Sequence, residues 1–228
     1  GCVLAPLYLP SQYWDTKKKR AVLVFSSIVV ATPEIWLNTI NLQFYLGLFT
    51  CYVLFSNLTQ FSKRLFVATA FLLFLASLNG VPSVVLLPMF LARILISENV
   101  ERSRLKALAG VLAVGLVIQL LAFASGLDTP TGDRLSLSDI ANFPVGFART
   151  SLYLFQGNSQ TVSVALVLLF ATLLFAYAIM RGIRHRFVLA AYLYTAFLYT
   201  LLSLEMLGGG RYGYIPSVLL VLLIVNSY

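Results

Sequence analysis

The residues best able to do chemistry fall in two short runs. The first is Thr32-Pro33-Glu34-Ile35-Trp36-Leu37-Asn38-Thr39-Ile40-Asn41-Leu42-Gln43-Phe44-Tyr45, where a carboxylate, several amides and a phenol interrupt apolar sequence. With a helix starting at Pro33, a favoured first helical position, Glu34, Asn38, Asn41 and Tyr45 recur at i, i+4, i+7 and i+11 and share one face. Such a column suits hydrogen bonding to a polyhydroxylated ligand. It also suits interhelical bridging, a common use of Asn and Gln in membranes, with Trp36 and Tyr45 as interfacial belt residues. The second run is Glu205-Met206-Leu207-Gly208-Gly209-Gly210-Arg211-Tyr212-Gly213-Tyr214-Ile215-Pro216. Its glycines allow a tight turn and close backbone approach, and the planar fork of Arg211 suits a phosphate. Alternatively Arg211 pairs with Glu205 or snorkels to the interface. Tyr212 and Tyr214 are expected at headgroup depth.

The elements that must hold these residues follow from composition. Of 228 residues, 60% are apolar, 11% are charged, and the mean hydropathy is +0.90. Soluble domains run at about 45–50% apolar and about 25% charged, so a soluble enzyme, a disordered chain and a disulfide scaffold are all excluded. An all-α, polytopic transmembrane bundle is expected, since runs such as 164–178 are apolar on every side and none shows the alternation of a barrel strand. Full-length spans of about 20 residues are predicted at 105–125, 161–180 and 187–204. Shorter ones are predicted at 21–32, 42–55, 65–78, 84–96 and 215–228. That makes about eight segments, with short or broken helices on one side. The chain starts at Gly1 and ends at Tyr228 in apolar sequence, as expected of the later part of a longer protein.

Charge gives the orientation. Lys17, Lys18, Lys19 and Arg20, then Lys63 and Arg64, then Arg93, Arg102, Arg104 and Lys106, then Arg181, Arg184 and Arg186 make 13 of the 16 cations. They fall in alternate connectors or at the span end leading into one, whereas Arg134, Arg149 and Arg211 occupy the others. The positive-inside rule makes the first set cytoplasmic and the other side the periplasm or an equivalent lumen, with a bacterial inner membrane as the expected location. These clusters then read as orientation signals, with anionic-lipid contact at Lys17–Arg20 as a by-product and no nucleic-acid partner. The long connector 126–160 faces the other side and suggests an amphipathic lid starting near Ser138, with Ile140, Phe143, Phe147 and Tyr153 along its surface. The Asn79-Gly80-Val81-Pro82 turn, between two short spans, suggests a protein-walled cavity open to water there. One histidine and two distant cysteines supply no metal pattern or disulfide framework.

Gly210-Arg211-Tyr212-Gly213-Tyr214-Ile215-Pro216 resembles the "RY-x-x-P" signature found late in GT-C membrane glycosyltransferases, which include the protein O-mannosyltransferases and the lipid A aminoarabinose transferases. Here one more residue precedes the proline than in the commonest form. Pro33-Glu34 with Asn38, Asn41, Gln43 and Phe44, and Asn79-Gly80-Val81-Pro82 through Leu87-Pro88, are similar to bacterial polytopic proteins often grouped with them. The resemblance spans about residues 21–228. It implies sugar transfer from a polyprenyl-phosphate carrier on the non-cytoplasmic face, with Arg211 toward the lipid phosphate and Tyr212 shaping the carrier site. Glu34, Asn38, Asn41 and Gln43 would serve sugar or acceptor, Glu34 and Arg211 sharing one external cavity. The family's catalytic acidic residue, base or partner of a divalent metal, is expected upstream of Gly1. The rival readings are a transporter or flippase, whose substrate path would also use broken helices and buried polar groups, and a membrane subunit without catalysis.

Overall fold

The computed structural model describes residues 2–29, 42–125, 143–151, 183–202 and 210–226, and every regular element among them is helical. In chain order these are α1 (Ala5–Tyr8), α2 (Lys17–Val29), α3 (Leu42–Phe55), α4 (Lys63–Leu78), α5 (Val81–Val84), α6 (Leu87–Ile96), α7 (Asn99–Ala124), α8 (Phe143–Ser151), α9 (Ile183–Leu201) and α10 (Tyr214–Val225). The predicted 161–180 span lies outside the described residues. The predicted 84–96 span corresponds to α6, with the one-turn helix α5 set before it. Pro82 and Pro88 each stand in a first helical turn, where a missing N–H is harmless, so two starts fit where a continuous helix would lose bonds.

The chain divides into two compact units, residues 1–24 with 37–132 and residues 25–36 with 133–228. In the first unit, helix directions follow from their ties. Arg104 at the start of α7 donates to Leu58 and Phe61, just before α4, and its guanidinium sits 5.6 Å above the Phe66 ring. Further along, Gln119 of α7 donates to the carbonyls of Ser77 and Leu78 at the end of α4. Hence α4 and α7 run parallel. At Gly115 a Cβ would collide with Ser77, so these helices approach as closely as small residues allow, as at small-residue helix contacts in membranes.

Arginines close the other end of this unit. The last four carbonyls of a helix lack intrahelical partners, and buried cations satisfy several here. Arg93, 7% exposed, donates to Leu54 and Ser56 at the end of α3 and pairs with Glu101. Arg102 donates to Ile94 and Ser97 at the end of α6. The N-terminal stretch packs here too: Ser11 Oγ donates to Phe55 O (2.6 Å), Asn57 N donates to Pro10 O (2.7 Å), and Trp14 sits edge-on to Tyr52. Asn57 itself caps a short turn through Thr59. The cationic stretches at residues 17–20, 63–64 and 102–106 therefore lie in the first one or two turns of helices rather than in connectors. Every charged side chain of the described part of this unit lies at this end.

The exposed faces are apolar. On α4 the buried positions are Thr69, Leu73, Ala76 and Ser77, while Val67, Phe71, Leu72, Leu75 and Leu78 are exposed. On α7, Val114, Val117, Ile118 and Leu121 are exposed along its length. Large apolar side chains thus cover the outer faces of α4 and α7 as well as the inner ones, where Leu73, Leu105, Leu108 and Leu112 are buried, and a soluble monomer rarely exposes so continuous an apolar face. One described helix, at Asn99–Ala122, is long and apolar enough to cross a membrane, and only 28% of its most apolar stretch is buried.

In the second unit α10 is the centre, buried continuously from Tyr214 to Leu223. α8 packs on α9 through Phe143 and Phe197, with ring centroids 5.3 Å apart, and Tyr192 Oη donates to Ser151 O at 2.8 Å. The lid suggested for 126–160 thus contains a real helix, but one that packs on a neighbour. Pro144, in its first turn, does not break it. The predicted start near Ser138 and the residues Ile140 and Tyr153 lie outside the described residues.

Candidate functional site

At the uncharged end of the first unit, α3 begins as the α4–α5 turn passes it. Gly80 has φ +144°, a conformation only glycine adopts without strain. A Cβ there would collide with Oε1 of Gln43, so the glycine serves close approach as well as turning. Two features 37 positions apart in sequence, Gln43 and the Asn79-Gly80 turn, are thereby brought together.

Gln43 is half-buried, and among the described residues nothing hydrogen-bonds its carboxamide. On α5, Ser83 is 1% exposed and its Oγ has no partner among the described residues. Ser217 Oγ on α10 is likewise buried without a partner among the described residues, whereas Thr50 bonds Leu46 O, Ser56 bonds Tyr52 O, Thr195 bonds Ala191 O and Thr200 bonds Ala196 O, a common way to satisfy hydroxyls in apolar helices. Gln119 is committed, since its Nε2 caps α4 at 3.2 and 3.0 Å. In the first unit, what remains available among the described residues is the Gln43 amide, able to donate and to accept, and the Ser83 hydroxyl on a helix packed along α3. That set can orient hydroxyl groups; it contains no general base, nucleophile or charge.

The glycine-rich run ends in a short 3-10 turn, Gly210–Gly213, leading directly into α10. Tyr214, the first residue of α10, is fully buried, and its Oη donates to Ser27 O of α2 at 2.9 Å. The turn's place is set by this phenol, because the turn leads directly into a buried residue with a fixed partner. Tyr212, next to it in the turn, is half-buried. The backbone of Arg211 lies in the turn, but its side chain lies outside the described residues, as do Glu34, Asn38, Asn41 and Glu205. The cavity expected to hold both Glu34 and Arg211 therefore falls outside the described residues as well.

Sequence reasoning missed the Arg93–Glu101 pair, which counted only as an orientation charge and an unremarked acid. The available signal was an arginine four residues inside an apolar helix, where an ionised group needs a partner. Among the described residues no His, Cys, Asp and Glu group could hold a metal ion, and both cysteines are free. No family model, curated protein or solved structure matches the chain.

Proposed function

We propose that the chain is a membrane-embedded glycosyltransferase-like protein of the GT-C kind, moving a sugar from a polyprenyl-phosphate carrier to an acceptor hydroxyl. The membrane part is supported by the crossing-length helix and the apolar exposed faces of α4 and α7. The shorter apolar helices, such as Leu42–Phe55 and Tyr214–Val225, then belong to the same polytopic bundle. Segregated charge supports the orientation: the arginine end of the first unit is cytoplasmic by the positive-inside rule, and the Gln43 end faces outward, in a bacterial inner membrane.

The observation that carries the site is the uncommitted Gln43 carboxamide beside the Gly80 turn at the uncharged end. Polar groups between apolar helices need a partner, and sugar or acceptor hydroxyls are such partners. Glu34, Asn38 and Asn41 take the same role by their spacing, Arg211 is assigned to the lipid phosphate, and Tyr212 to its surroundings. In the reaction the acceptor oxygen attacks the anomeric carbon while a base takes its proton. The anomeric carbon–phosphate oxygen bond breaks, and polyprenyl phosphate leaves with the electron pair, stabilised by a cation.

The test is release of polyprenyl phosphate from mannose- or aminoarabinose-charged carrier by purified full-length protein. Gln43→Ala should lower kcat/KM by roughly 2- to 12-fold, the equivalent of one lost hydrogen bond. Wild-type turnover in that variant would remove Gln43 from the site, and failure of the wild-type protein to cleave any charged carrier would overturn the transferase reading.

A further inference from the structure

We draw no further inference here: the strongest candidate, the buried Ser83 hydroxyl without a partner among the described residues, in the one-turn helix α5 at the uncharged end of the first unit, belongs to the site already described.

Discussion

Replacing Glu101 by alanine removes the one carboxylate among the described residues that meets the Arg93 guanidinium. The arginine side chain is 9% exposed and the glutamate 18%, so the stranded cation has little water to turn to. Breaking a buried pair on one side costs about 3–5 kcal/mol, and the partial exposure of Glu101 favours the low end, about 3 kcal/mol. Arg93→Met fails differently: it keeps the apolar stem but leaves the carbonyls of Leu54 and Ser56 without a donor, at about 1–3 kcal/mol each. In the double variant no cation is stranded, so the two losses should not add, with a coupling of about 2 kcal/mol. At roughly 2–4 °C per kcal/mol for a chain of this size, Glu101→Ala should lower the midpoint by about 6–12 °C. Circular dichroism of full-length protein in detergent, with all four members of the cycle, measures it. Additive losses, with coupling below about 0.5 kcal/mol, would refute the idea that the pair acts as a unit.

Two further outcomes follow from contacts in the helices. Gly115→Ala should destabilise by about 1–3 kcal/mol, because its methyl meets Ser77, and Ser77→Gly should restore part of the loss in a thermal melt; a neutral Gly115→Ala would deny the close approach of α4 and α7. Tyr214→Phe should cost about 1 kcal/mol for the lost bond to Ser27, and Tyr214→Ala about 3–5 kcal/mol for the buried ring as well; equal midpoints for the two variants would mean that the ring contributes nothing.

Much of the helical layout was legible because hydropathy and helix length are coupled. The run 42–55 matches α3 at both ends, and 65–78 matches α4 apart from the two cations that open it. Helices ran past the apolar stretches wherever cations stood, since hydropathy marks where apolar sequence stops and not where backbone bonding stops. Ser62 shows the difference: its Oγ accepts from Leu65 N, so the cap sits before the charges. Arg93 could not be assigned from sequence, because its acceptors are carbonyls 37 and 39 residues away and a carbonyl has no residue type. Gln43 was legible as a polar group out of place. Its contact with Gly80 was not, because it depends on how one turn passes one helix end.

The bond from Tyr214 to Ser27 joins residues 187 apart in sequence. A ribosome adding about 5–20 residues per second needs roughly 10–40 s to make the second after the first. Over that interval the later half of α2 has been synthesised, but the phenol that will hold it has not. α10, enclosed along ten residues, is among the last described elements to emerge, so the second unit must keep a place open for its own centre. A ribosome paused ahead of Tyr214 would hold a chain in which the first unit is complete and the second still lacks its core.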